Sequence, residues 1–281
     1  MHGAGNDYVY IDGRGIEENW SEIAISVSDR HKGIGSDGLI LAKDSDIGDV
    51  KMVMFNSDGS QGQMCGNGIR CLVKFAFDKN IVPPTKDSVV VDTASGTKIV
   101  TPIWEEERMV SARVDMGEPS VALEDIPAIA PGHSMIMDYP IEINGETIKI
   151  NCASMGNPHA IAFIETPVED YPLDKIGPLI EHHKMFPDRT NFEIVNLINQ
   201  NHVKARVWER GSGLTEACGT GACAIVAITR LRRLTQGNVT VSLPGGDLEI
   251  EWTGDGGVIM EGPVATAVSY THLTLPTILR V

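Results

Sequence analysis

The 281-residue chain is poor in cysteine and in positive charge, and it has no long apolar run. Five cysteines, an odd number at low density, do not make the disulfide scaffold of a small secreted domain. Their spacings, Cys65-x5-Cys71 and Cys218-x4-Cys223, are not the paired C-x2-C of zinc sites, and no metal is expected. Glycine-rich nucleotide motifs are missing too. Gly33-Ile34-Gly35 and Gly211-Ser212-Gly213 are isolated pairs, neither a P-loop nor a dinucleotide fingerprint. No run reaches membrane-spanning length, and the N-terminus lacks a basic region followed by an apolar one, so the expectation is a soluble, cytoplasmic protein without a membrane partner. Lys and Arg number 23 against 38 Asp and Glu, a formal net charge of −15. That balance argues against nucleic acid as a partner but not against a small anion held by backbone donors.

What the chain does have is one cysteine loop written twice. Cys65-Gly66-Asn67-Gly68 and Cys218-Gly219-Thr220-Gly221 each follow an aromatic residue by ten positions, Phe55 and Trp208, and each runs into an Ala/Ile/Val-rich stretch. The duplication continues outside the loops. Gly5-Asn6-Asp7-Tyr8 is echoed by Gly156-Asn157-Pro158-His159, and Phe55-Asn56 by Trp208-Glu209. Ser36-Asp37-Gly38-Leu39-Ile40 has a looser echo in Thr190-Asn191-Phe192-Glu193-Ile194, and residues 91–96 in 241–246, all at offsets of 150 to 154. Matches in constant order at a near-constant offset mean two similar units of domain size.

Residues 8–12, 50–55, 89–92, 161–164, 203–208 and 239–243 read as strands, and 21–28 and 176–183 as amphipathic helices. The stretches after the cysteine loops, 69–77 and 222–231, read as helices that are apolar almost all round and therefore buried on most sides. The expected fold is α/β (α+β): two pseudo-symmetric domains, each a strand-rich mixed sheet or barrel wrapped around a central helix, with the active site in the cleft between them. The units are expected at 1–116, completed by a segment after 262, and at 117–262, with a linker rich in proline and acidic residues at 116–132.

A helix N-terminus offers unpaired N–H groups and a partial positive charge. Glycines beside each cysteine leave those donors open to an α-carboxylate, and the same field favours thiolate, drawing the cysteine pKa towards neutrality. Two such ends facing one cavity would place Cys65 and Cys218 on opposite faces of an α-carbon, one taking the proton and the other giving one back. Cys71, Cys152 and Cys223 read as small core hydrophobes. His182 and His183 lie on a surface helix and are given no role.

These residues resemble diaminopimelate epimerase, of the cofactor-independent racemase and epimerase family. The resemblance rests on Met1-His2-Gly3-Ala4-Gly5-Asn6-Asp7, Phe55-Asn56-Ser57-Asp58-Gly59, Met64-Cys65-Gly66-Asn67-Gly68-Ile69-Arg70-Cys71, Met155-Gly156-Asn157-Pro158-His159, Glu209-Arg210-Gly211, Ala217-Cys218-Gly219-Thr220-Gly221-Ala222-Cys223 and Leu243-Pro244-Gly245-Gly246, and runs from Met1 to about Val264. It implies interconversion of LL- and meso-diaminopimelate on the route to lysine and cell-wall precursors, without a cofactor. Cys65 and Cys218 are then the acid/base pair, and Gly66, Asn67, Gly219 and Thr220 hold the reacting carboxylate. Asn6, Asn56, Asn157, Asn191, Glu209 and Arg210 recognise the amino and carboxylate groups, the distal ones included. His159 and Glu209 are implied as assistants to the thiols, with a solvent-exposed or capping histidine as the plainer reading of His159. The planar fork of Arg210 suits the far carboxylate.

The chain departs from the family at three places. Gly38 stands where some members carry Gln, so it is given no contact. The start at Met1-His2-Gly3 lacks the usual short strand before the motif. Residues 269–281 match nothing expected and read as an artefactual tail, which bears on the last strand and on any homodimer contact. Two other readings stay open: a proline or hydroxyproline epimerase on the same fold, and a non-catalytic thiol redox or metal protein.

Overall fold

The protein, analysed as a computed structural model, is described for residues 1–270. Residues 271–281, most of the atypical tail, lie outside the described residues.

The duplication seen in sequence is a duplication of strand pairing. In the first half Val9–Asp12 runs parallel to Gly38–Lys43, which is antiparallel to Val50–Asn56. That strand is parallel to Val89–Thr93, which leads antiparallel through Gly96–Glu105 to Arg108–Asp115. The second half repeats the sequence of pairings. Pro158–Phe163 is parallel to Asn191–Asn199, then come His202–Glu209 antiparallel, Asn238–Leu243 parallel, and Gly246–Glu251 and Ile259–Pro263 antiparallel. Register follows the sequence offsets: Val50 pairs with Val91 as Val203 pairs with Val241. The halves join where Arg108–Asp115 and Ile259–Pro263 lie antiparallel, with Arg113 opposite Glu261, so that one sheet of 16 strands runs through the described residues.

Four α-helices occur among the described residues: α1 (Trp20–Ser28), α2 (Gly66–Asp78), α3 (Leu173–Glu181) and α4 (Gly219–Leu231). The apolar helices α2 and α4 are the expected central ones, each starting three residues earlier than read from sequence. In α4 every residue from Gly221 to Thr229 is buried. Strands from both ends of the first half touch α2, so the sheet curls around it, and α4 is enclosed likewise. Both helices contribute to one continuous apolar cluster. Smaller clusters lie under α1 and under α3 on the outer faces of the sheet.

The strands Gly38–Lys43, Gly96–Glu105, Arg108–Asp115, Asn191–Asn199, Gly246–Glu251 and Ile259–Pro263 go beyond the six read from sequence. A hairpin of Tyr139–Ile143 and Glu146–Ser154 extends the second half. The stretch expected to be a linker is also packed: Ile126 and Ala130 are buried in the cluster beneath α3, and Ser120 bridges to Ser154. At the other end of the chain, His2 exchanges backbone hydrogen bonds with Ala265, which sets the segment after 262 beside the N-terminus.

Candidate active site

Each cysteine is the N-cap of its helix. Cys65 and Cys218 have extended backbones (φ −130°, ψ 120° and φ −117°, ψ 112°), and each Sγ accepts the N–H of the third residue on, Gly68 and Gly221, at 3.4 Å. Sulfur here does the work usually given to a Ser or Asp oxygen. The glycines are required by closeness. A Cβ on Gly66 would come 2.8 Å from Met260 Cε, and one on Gly219 would meet Met260 Sδ at 3.0 Å and Gly66 Cα at 3.6 Å. The two helix starts therefore meet tip to tip over Met260.

Above them opens a cleft of ≈ 1240 Å³. It is lined by Cys65, Cys218, Gly66, Asn67, Gly219 and Thr220, and by Asn6, Asn56, Asn157, Asn191, Glu209 and Arg210. All the residues expected to bind or react come together there except His159, which lies behind the wall. That histidine is fully buried, which overturns the exposed reading. Its Nδ1 is 2.7 Å from Glu193 Oε1 and its Nε2 is 3.1 Å from Asn157 Oδ1. Asn157 Nδ2 donates to Thr220 Oγ1 at 3.3 Å, and Thr220 Oγ1 is 3.4 Å from Cys218 Sγ. A chain of contacts thus runs from a buried carboxylate to one thiol.

The other thiol sits differently. Cys65 Sγ donates to Asn6 Oδ1 at 3.1 Å, and Asn6 Nδ2 donates to Asp37 Oδ2 at 2.6 Å. Asp37 and Asp7 are bridged by Arg30. The Tyr8 phenol lies beside Cys65, its pKa raised mainly by burial. At the position that corresponds to Glu193 the first half has Ile40: a Cβ on Gly68 would strike Ile40 Cδ1 at 2.6 Å, and one on Gly221 would strike Glu193 Oε1 at 2.8 Å.

Burial dominates the electrostatics. It raises both thiols, Cys218 well above its ordinary value because the Glu209 and Glu193 carboxylates add to desolvation. Glu209 also adds to the rise at Cys65. This corrects the expected drop towards neutrality: the helix N–H groups lower the thiols, but removal of solvent outweighs them. Glu209 is itself raised, first by desolvation, although Thr215 Oγ1 donates to its Oε1 at 2.5 Å. Cys71, Cys152 and Cys223 are fully buried, as expected of core residues, and burial pushes Cys223 up to about 12.

Asn191 and Asn67, like Asn157 and Asn6, have their side-chain amides engaged by the protein. Asn191 Oδ1 accepts the Arg210 N–H at 2.9 Å, and its Nδ2 donates to Pro158 O at 2.8 Å. Asn67 Nδ2 donates across the cleft floor to Ala217 O at 3.1 Å. Asn56 is exposed, its Nδ2 donating to Ser60 Oγ at 2.9 Å. Arg210 stays exposed at the cleft mouth with Arg189, which sequence reasoning missed. Buried Glu181 holds this corner by accepting from Trp208 Nε1 at 2.7 Å and Gly211 N at 2.9 Å. Among the described residues no group of three or more His, Cys, Asp or Glu side chains is placed to hold a metal, and no helix is long and apolar enough to cross a membrane.

Two curled halves around a shared cleft are a fold that this chain has in common with solved structures. A solved structure described as a probable proline racemase from Agrobacterium radiobacter K84 superimposes with a TM-score of 0.67 at 14% identity, covering 93% of this chain and 88% of that one. At that identity the likeness concerns fold. Sequence carries the assignment further: the chain belongs to the Diaminopimelate epimerase family, whose model matches residues 1–122 and 151–267. It is 49% identical over 268 residues to the diaminopimelate epimerase of Methanococcus maripaludis, covering 95% of each chain. It is 46% identical over 265 residues to that of Acetivibrio thermocellus, covering 94% of this chain and 93% of the relative.

Proposed function

We propose that the protein is an isomerase that epimerises LL-diaminopimelate to the meso form, on the route to lysine and cell-wall precursors. The observation that carries the mechanism is the meeting of two cysteine-capped helix starts at one cleft floor. The reacting carboxylate binds the open N–H groups around Gly66, Asn67, Gly219 and Thr220. One cysteine, as thiolate, takes the α-proton and becomes a thiol. The electron pair spreads onto the carboxylate, where both helix N-termini stabilise it. The second thiol gives its proton to the opposite face of the carbon and becomes the thiolate, so that proton and charge balance over the turnover. A thiolate in a desolvated site is a stronger base than in water, which suits it to a weakly acidic C–H.

Arg210, steadied by Asn191, and neighbouring Arg189 provide positive charge at the mouth for the distal carboxylate, which favours a two-ended substrate over proline or hydroxyproline. Asn6, Asn56, Asn157 and Glu209 serve the amino groups. His159 acts through Asn157 and Thr220. All five cysteines are free, in keeping with a reducing cytoplasm. The bridge between His2 and Ala265 supports units of 1–116, completed after 262, and 117–262.

Reduced protein incubated with LL-diaminopimelate in deuterated water, without added cofactor, should incorporate α-deuterium and form the meso isomer by NMR. No exchange would refute the reading. Cys65→Ala and Cys218→Ala should each abolish epimerisation, and near-full activity in either would sink the two-base scheme.

A further inference from the structure

Among the described residues the largest fully buried side chain is a cation with no anion beside it. Arg70, on the second turn of α2, is 0% exposed. Among the described residues no Asp or Glu forms an ion pair with it, and the ionisable groups around it are Cys65, Cys71, Cys223 and Tyr10. Its Nε has no partner. The guanidinium donates from Nη1 to Gly66 O at 3.1 Å and from Nη2 to Asn67 Oδ1 at 2.9 Å, with Met260 Sδ at 3.8 Å. Room for it is made by two glycines: a Cβ on Gly3 would come within 3.0 Å of Nη2, and one on Gly262 within 2.7 Å.

A buried charge without a counter-ion costs several kcal/mol, so its placement calls for a function. The acceptors show where the charge is spent. Gly66 C=O belongs to the same peptide as the Asn67 N–H, one of the donors at the start of α2 that has no intrahelical acceptor. A cation on the oxygen of a peptide polarises its N–H, making it a better donor. The second donor fixes Asn67 Oδ1 and so turns Asn67 Nδ2 towards Ala217 O at 3.1 Å. Ala217 C=O in turn shares its peptide with the Cys218 N–H. One guanidinium thus reaches both loops, through a peptide in one and a side-chain amide in the other. The arrangement is one-sided: at the sequence offset of the two cysteines, the counterpart of Arg70 is Cys223.

We propose that Arg70 is a positioning residue that charges both carboxylate-binding loops from behind, its counter-ion being the substrate carboxylate and the negative charge that grows on it during proton transfer. This rests on the epimerase reading above and adds a residue that touches neither substrate nor thiol. Because the charge develops fully only in the transition state, kcat should suffer more than KM. A direct oxyanion donor is worth about 10²–10³ in rate, and acting through a peptide should bring the effect to roughly 10- to 100-fold.

The test compares Arg70→Met, Arg70→Gln and Arg70→Lys with the unsubstituted protein by deuterium wash-in from LL-diaminopimelate. Arg70→Met and Arg70→Gln should lose about 10- to 100-fold in kcat with KM changed less, whereas Arg70→Lys, which keeps the charge but loses the fork, should fall between them and the unsubstituted protein. The proposal is overturned if folded Arg70→Met keeps kcat within twofold, or if Arg70→Lys is as slow as Arg70→Met. Should the variants not fold, ¹⁵N NMR of the Arg70 guanidinium in the unsubstituted protein decides. Its signals should shift to saturation as diaminopimelate is added, and unmoved signals at saturation refute the role. Failure of the unsubstituted protein to exchange deuterium would instead refute the epimerase reading.

Discussion

Glu193→Ala is the substitution whose cost can be worked out most directly from the buried His159–Glu193 pair. The two side chains are 0% and 1% exposed, with 2.7 Å between Nδ1 and Oε1. Removing one partner of a buried, hydrogen-bonded pair costs about 3–5 kcal/mol, because the survivor is left unanswered in a dry site. Against a typical domain stability of about 5–15 kcal/mol, the variant should fold but unfold at clearly lower urea. Glu193→Gln keeps the shape and one hydrogen bond, and should lose only about 1–3 kcal/mol. Urea unfolding of Glu193→Ala, His159→Leu and the double variant closes a cycle. The double variant should be less destabilised than the sum of the singles by at least about 1.5 kcal/mol. A cost below about 1 kcal/mol, or additivity within about 0.5 kcal/mol, would refute the coupling. Activity should fall as well, since Asn157 loses the fixed ring that orients its amide towards Thr220 and Cys218.

Three further outcomes follow from the site. Because burial raises both thiols, and Cys218 further than Cys65, the thiolates form only at higher pH. Alkylation of the empty, reduced protein by iodoacetamide should therefore speed up with pH through and above the ordinary thiol value of 9.0, with Cys65 modified before Cys218 in peptide mass spectra; the reverse order would count against this account. Glu209 keeps its proton to higher pH folded than unfolded, so its ionisation weakens the fold as pH rises from the ordinary 4.5 through the raised value. Glu209→Gln should thus raise the urea midpoint at pH 7 and leave it unchanged at about pH 4, and equal gains at both would contradict the sign. Finally, a Cβ on Gly245 would lie 2.1 Å from Ala4 O, where the N-terminal loop seats against the Pro244-Gly245-Gly246 turn. Gly245→Ala should lower the melting temperature by several degrees and slow turnover, since overpacking costs about 1–3 kcal/mol; an unchanged melting curve would show that the contact is slack.

The sequence made the duplication legible because strand register requires it: the offsets of 153 and 150 between echoed residues are the offsets between corresponding strands of the two halves. The cysteine loops were legible because an N-cap followed by glycines has few other uses. The central helices were read three residues short, since Gly66-Asn67-Gly68 and Gly219-Thr220-Gly221 are poor helix formers that tertiary contact holds in place. Glu193 was missed for a related reason. A lone Glu among Phe192, Ile194 and Val195 reads as the polar side of a strand, and only its pairing with His159 shows it buried. Its one signal was its place at the echo of Leu39, where an apolar residue was due. Arg70 stood inside a recognised motif, yet nothing in the motif tells that its charge is unanswered. The expected drop in thiol pKa went wrong because the field of a helix is visible in sequence and desolvation is not. Ile126 and Ala130 likewise turned an apparent linker into core.

Gly66 and Gly219 meet over Met260 with no room for a side chain on either. Any group larger than hydrogen at these two positions would wedge the cysteine-capped helix starts apart. The spacing of the two sulfurs is therefore set by residues that carry no side chain at all.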